Sequence, residues 1–226
     1  MKKLIKQLPV IGSLAVRLKR LFAPQKKFET SGKYWDDRYR AGGNSGSGSY
    51  DNLAEFKGQF LNKFVVENNV EKVLELGCGD GNQLSYFTFP SYVGFDISPK
   101  ALEICRNLYS NDPTKEFVGM DKISEYKSDL ALSLDVLYHL VEDRTFDLYM
   151  NQLFNSSTKF VIVYSCNFDD NENYEEHVRP RKFTNWIEKN RPEFKLIDKI
   201  ENKYPEVEGD EQATSFADFY IFQQEK

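Results

Sequence analysis

The stretch VLELGCGDGNQL, residues 73–84, constrains this chain more than any other. A short apolar run ends at Glu75, and three glycines, Gly77, Gly79 and Gly81, follow at every second position. Glycines so spaced permit positive φ and let backbone approach a ligand closely. The pattern predicts a buried strand, a tight turn and a helix start at 82–89. A second apolar run, SYVGFDI (91–97), ends near Asp96, 15 residues after Gly81. An acid at that place can accept hydrogen bonds from both hydroxyls of a ribose. The glycine turn alone leaves three readings open: a nucleoside-cofactor site, a nicotinamide-dependent dehydrogenase, or a purely structural turn. The dehydrogenase spacing G-x-G-x-x-G is not met, because Asn82 stands where the third glycine would fall.

Similar alternation continues on both sides. Residues 53–69 carry Leu53, Phe56, Phe60, Leu61, Phe64 and Val65 at amphipathic helical spacing. Strands are predicted at 70–77, 91–97, 115–120, 128–135 and 158–165. Helices are predicted after Ser98, with Pro99 at the first position, around 140–154, and over 183–190. Two late, more polar strands, 194–204 and 215–225, have no long helix between them and fit an antiparallel pair at one edge. The whole reads as an α/β fold, a doubly wound and mainly parallel seven-stranded sheet, with ligands at the carboxyl ends of the strands. With 226 residues and 40% hydrophobic content, the chain can bury one sizeable core.

Here the sequence resembles the class I S-adenosylmethionine-dependent methyltransferases, over roughly 30–226 and most clearly over 70–165. The resemblance implies S-adenosylmethionine as cofactor and assigns positions to it. Glu75, Gly77, Cys78, Gly79 and Asn82 would border its methionine and ribose. Asp96 and Ile97 would hold the ribose and the adenine edge, with Met120 and Asp121 at the adenine. Asp135, closing the fourth strand, would face the methionine amino group.

Methyl transfer from a sulfonium is an in-line displacement, so alignment of donor and acceptor matters most. A base helps where the acceptor is a hydroxyl. In SLDVLYHLVED, His139 is the general-base candidate, the alternative being a histidine that fixes the loop; Tyr138 beside it lines the pocket. The segment after the fifth strand carries His177, Arg179, Arg181 and Lys182, a cluster suited to an anionic acceptor such as a phosphorylated sugar, or else a solvated charge run. The patterns YWDDRY, SLDVLYHLVED, HVRPRKF and ADFY resemble a bacterial subgroup associated with surface polysaccharides, which implies a glycan acceptor. A small-molecule N- or O-methyltransferase and a non-catalytic cofactor-binding scaffold are the competing functions.

The run RAGGNSGSGSY, 40–50, has linker composition but is bracketed by aromatic residues. It is read as part of a lid over 34–50, with Tyr34, Trp35, Arg38, Asn44 and Ser45 toward the acceptor, the alternative being a passive linker. Residues 1–28 hold eight basic residues and no acid, leaving 22 basic against 35 acidic residues beyond. That acidic body disfavours nucleic acid as a partner. Residues 2–22 combine a helical apolar stripe with basic polar positions, which suits peripheral contact with an anionic membrane; packing on protein and a cleaved signal are the alternatives. The apolar run from Leu8 to Val16 is too short to span a bilayer. Three scattered cysteines, two histidines and no zinc spacing read as a reduced, cytoplasmic protein without a metal, with the basic segment placing it at the inner face of the membrane.

Overall fold

The computed structural model describes residues 28–170, 174–207, 209–210 and 213–225. The basic segment 2–22 lies outside the described residues. Seven strands form one sheet: β1 (Val73–Leu76), β2 (Tyr92–Asp96), β3 (Lys115–Gly119), β4 (Ser128–Leu134), β5 (Ser157–Ser165), β6 (Phe194–Ile200) and β7 (Asp218–Gln224). Their order is β3-β2-β1-β4-β5-β7-β6. β1 to β5 run parallel, and β7 is antiparallel to both β5 and β6. The antiparallel pair expected at one edge is thus β6 with β7.

β1 is central, paired with β2 on one side and β4 on the other, and every residue in it is buried. That is why it reads as a continuous apolar run with one acid rather than an alternation. The helices pack in two layers. α1 (Ser31–Arg40) and α2 (Asp51–Glu67) precede the sheet, and α3 (Pro99–Leu108) joins β2 to β3. Leu61 and Val65 of α2 and Leu102 and Cys105 of α3 share one core with Val73, Leu130 and Ile162. α4 (Asp143–Ser156) and α5 (Phe183–Asn190) cover the other face through Met150, Leu153, Phe154 and Ile187. Ser98 caps α3 by accepting from the Ala101 amide, with Pro99 at the first position, as the sequence predicts.

One element differs. The helix expected from Asn82 stops after a single 3-10 turn, Gln83–Tyr86. Phe87 and Phe89 are buried in the α2–α3 core with ring centroids 5.0 Å apart. Aromatic and β-branched residues are poor helix formers, and Pro90 holds Phe89 extended, so burial of the two rings wins over helix propagation.

The order of the sheet reverses between β1 and β4, and a ligand crevice is expected where it does. Gly77 leaves β1 and Asp135 leaves β4 at that point. No helix among the described residues is long and apolar enough to cross a membrane.

Candidate active site

A cavity of about 420 Å³ opens at the switch point, within the usual range for small-ligand sites. Its floor is the glycine turn. Gly77 and Gly79 sit at φ 83° and 58°. A Cβ on Gly77 would lie 2.5 Å from Val136 Cγ2, and one on Gly79 would strike the Ser45 hydroxyl. Turn and neighbours approach too closely for any side chain there. The Gly77 and Cys78 amides both donate to the Phe95 carbonyl, at 2.7 and 2.9 Å, which stitches the turn to the end of β2.

Asp96 follows at once. Its Oδ2 accepts from the Gly79 amide at 3.0 Å and its Oδ1 from the Ser98 amide at 2.8 Å. Burial lifts its pKa to about 6 against the pull of those amides. The carboxylate keeps a lone pair to spare beyond these backbone donors and that of Ile97, and the residue is on the cavity wall. Ile97, Met120 and Asp121 continue that wall beyond it.

Glu75 and Asn82 lie off the cavity, contrary to the expected contact with a cofactor. Glu75 is wholly buried; its Oε2 accepts from Tyr92 at 2.6 Å and its Oε1 from Gln83 at 2.8 Å. Burial pushes its pKa up to about 7. Its work is to tie the 3-10 turn to the sheet. The Asn82 side-chain Nδ2 donates to the Ser49 carbonyl at 2.8 Å, fastening the 47–49 turn to the glycine loop.

Asp135 is on the wall at the far end, beside Gly77, with φ 59°. Its Oδ1 accepts from the Tyr138 hydroxyl at 2.8 Å, and its Oδ2 pairs with Lys57 Nζ at 2.5 Å. Lys57 is 0% exposed. Sequence reasoning missed it, yet a signal exists: Leu53, Lys57 and Leu61 are four apart, so one lysine interrupts the apolar stripe of α2.

His139 lines the cavity, and its Nδ1 is 3.2 Å from the His177 carbonyl. A carbonyl only accepts, so Nδ1 carries the proton and Nε2 keeps its lone pair. Burial lowers the pKa to about 4, so the ring is neutral at physiological pH. Trp35, also on the wall, meets it edge-on with centroids 4.8 Å apart, and the His177 ring lies parallel at 5.5 Å. Tyr138 is not on the wall: its ring sits between His139 (4.5 Å) and Phe216 (5.0 Å) while its hydroxyl holds Asp135.

The remaining acceptor candidates divide. Trp35 and Ser45 reach the cavity; Tyr34, Arg38, Asn44, His177, Arg179 and Arg181 do not line it. Tyr34 stacks on His177 at 4.2 Å. Arg38 is held by Asn44, through its carbonyl (2.6 Å) and side-chain oxygen (3.2 Å). Arg179 and Arg181 both pair with Asp143 Oδ1, at 2.9 and 2.7 Å, and both donate to the Val141 carbonyl. The expected anion-binding cluster is therefore a brace between the 174–182 segment and the start of α4.

The glycine-serine run folds onto the floor. The Ser45 amide donates to Asp80 Oδ2 at 2.9 Å, and the Asp80 amide donates to Ser45 Oγ at 2.9 Å. Tyr50 donates to the same Asp80 oxygen at 2.8 Å, and Tyr39 shares a hydrogen bond with Ser45 at 3.0 Å. Upstream, α1 lines the cavity through Ser31, Gly32, Trp35 and Tyr39. Ser31 gives amide and hydroxyl to Glu142 at 2.9 and 2.8 Å, and Asp36 accepts from Ser98 at 2.7 Å. Among the described residues no group of three or more His, Cys, Asp or Glu could hold a metal ion.

A mainly parallel sheet with a glycine turn after β1, an acid closing β2 and an N-terminal helix lining the cavity fits a class I S-adenosylmethionine-dependent methyltransferase. The profile of the methyltransferase-domain family matches residues 18–199, and the chain belongs to that family. A small RNA 2′-O-methyltransferase of Arabidopsis thaliana is 23% identical over 163 residues, which cover 65% of this chain but 17% of that protein. Among solved structures, the N-methyltransferase NodS of Bradyrhizobium japonicum WM9 superposes with a TM-score of 0.67 at 13% identity, covering 88% of this chain and all 100% of that one. The methyltransferase domain of bacterial CtHen1-C superposes at 0.60 with 18% identity, covering 77% of this chain and 100% of its own. At such identities these likenesses show the shared fold.

Proposed function

We propose that the protein moves the methyl group of S-adenosylmethionine to a hydroxyl of a neutral sugar or sugar-linked acceptor, as in bacterial surface-glycan assembly. The observation that carries the choice of a hydroxyl is His139, a neutral imidazole on the cavity wall with Nε2 free to accept.

The cavity fits the cofactor. The side-chain-free floor at Gly77 and Gly79 admits close approach of the methionine part, and Asp96 keeps a lone pair to spare for a ribose hydroxyl. Ile97 and Met120 give apolar surface to the adenine with Asp121 at its edge, and Asp135 is the acid available to the α-ammonium. When bound, the donor supplies an electrophilic methyl on a good leaving group. The chain's own part is alignment, exclusion of water by α1 and the 41–50 loop, and reception of one proton. A base of pKa about 4 does not ionise a resting alcohol. It accepts the hydrogen bond of the hydroxyl and takes the proton as oxygen gains positive charge, when that proton is far more acidic than imidazolium.

Three considerations support the acceptor. Trp35, on the cavity wall and edge-on to His139, offers aromatic surface suited to the flat face of a sugar. The Arabidopsis relative is named for a ribose 2′-hydroxyl. Arg179 and Arg181 are taken up by Asp143, so an anionic acceptor has no cationic partner from that pair. The acidic balance of 29–226 sets RNA second. The lid role of 34–50 and membrane contact through 2–22 belong to the same proposal.

The test is transfer of labelled methyl from S-adenosylmethionine into fractionated bacterial extract, with His139→Ala as control. Label in the glycan or lipid-linked glycan fraction, lost in the variant, supports the proposal. Label in RNA or only in soluble small molecules overturns the acceptor but keeps the transfer. Cofactor binding with no label in any fraction makes the protein a scaffold.

A further inference from the structure

A lysine without solvent contact, paired with an acid at the wall of the cavity, needs an explanation. Buried ion pairs seldom stabilise a fold relative to apolar replacements, because the desolvation of both charges offsets their attraction. Lys57 nevertheless sits in the middle of α2, 0% exposed, with Nζ 2.5 Å from Asp135 Oδ2 and 5.2 Å from the centre of the Tyr164 ring. It is absent from the cavity wall, so it touches a ligand only through Asp135.

Asp135 is held from every side. Its amide donates to the Tyr164 carbonyl at 3.0 Å, its Oδ1 accepts from Tyr138 and its Oδ2 from Lys57. Gly48, in the turn just ahead of α2, packs so closely that a Cβ there would be 2.8 Å from Oδ2. The backbone is in the left-handed region at φ 59°, a conformation that costs free energy and persists only where the surroundings fix it. Of these contacts only Lys57 brings a full positive charge. It therefore sets both the direction of the carboxylate and the charge that remains for a ligand.

We infer that Lys57 is a positioning residue for the amino-acid head of the cofactor: it aims Asp135 at the α-ammonium from beneath the cavity. This rests on the proposed placement of that ammonium at Asp135. It assigns the selectivity for an intact amino-acid head to a residue outside the cavity. Asp135 bonded to Tyr138 alone could turn about its side-chain torsion, and the fixed geometry would be lost.

The test compares two ligands that differ in that head. S-adenosylhomocysteine carries it; 5′-methylthioadenosine carries the adenosine and sulfur without it. Calorimetric titration of Lys57→Met should show at least tenfold weaker binding of the first and unchanged binding of the second. Lys57→Arg should recover most of the loss. The pair Lys57→Met with Asp135→Asn should bind S-adenosylhomocysteine no more weakly than Asp135→Asn alone, since the lysine acts only through the acid. Unchanged S-adenosylhomocysteine binding in Lys57→Met overturns the inference. So does equal loss of both ligands, which marks a merely structural lysine. If Lys57→Met does not fold, Lys57→Gln is titrated with the same two ligands: selective loss of S-adenosylhomocysteine supports the inference, and unchanged or equal loss overturns it. Failure of the wild-type protein to bind S-adenosylhomocysteine would instead sink the cofactor placement itself.

Discussion

Two carboxylic acids and one imidazole, Asp96 and His139 on the cavity wall and Glu75 off it, have pKa values moved by burial, and each movement is measurable. Asp96 is lifted to about 6. Hydroxyl donors of a ribose favour the carboxylate, so cofactor binding should release a proton and weaken as pH falls through about 6. Titration of S-adenosylhomocysteine between pH 5 and 8 checks this, and Asp96→Ala should bind roughly tenfold or more weakly, the scale of losing hydrogen bonds to a charged group. His139 is moved the other way, to about 4, so no loss of its basic form is expected near neutrality. Its removal in His139→Ala should lower kcat by roughly 10²–10⁴-fold, the usual scale for a general base, with S-adenosylhomocysteine affinity retained. Much of this was legible in the chain. Gly77, Gly79 and Asp96 stand out because the strand, glycine turn and acid follow one another in one stretch of sequence, and His139 because it comes directly after the fourth strand. Lys57 and Arg181 do not. Their partners, Asp135 and Asp143, are 78 and 38 residues away, so nothing local tells a buried pair or a brace from a solvated charge.

The 41–50 segment shows how composition misleads at the scale of an element. Its glycines and serines are those of a flexible tether, but Ser45, Asp80, Tyr39 and Tyr50 make four hydrogen bonds that close it on the glycine turn. Few apolar side chains hold it, so opening is local and needs no unfolding of the sheet. Limited proteolysis within 40–50 should slow on adding S-adenosylhomocysteine, and Ser45→Ala with Tyr50→Phe should speed it in the free protein. The strands were read from periodicity to within a few residues, because buried parallel strands are short apolar runs with little else to become. The helix at 82–89 was not, because whether Phe87 and Phe89 propagate a helix or cover the sheet is decided by tertiary burial.

Across the whole molecule, stability carries the mark of the same buried acids. Glu75 is raised to about 7 from an unfolded value near ~4.3. An acid raised in the fold contributes stability that is fully present below its unfolded pKa and lost as pH rises through the folded one. Urea unfolding should therefore show Glu75→Gln flattening the fall in stability of the wild type between pH 5 and 8. The doubly wound plan was legible from alternation alone; the lid reading of 34–50 came from its bracketing aromatics, but the contacts that fix α1, to residues 98, 139, 142 and 177, were not legible. That helix has a kinetic consequence. α1 is fastened at its start through Ser31 and Glu142, then through the Tyr34–His177 stack, and at its middle to the Asp96 side through Asp36 and Ser98. On the proposed lid role α1 moves as one body, so the cofactor cavity and the proposed acceptor wall open together. Release of the methylated product and of S-adenosylhomocysteine should then have no obligatory order, which product-inhibition patterns reveal.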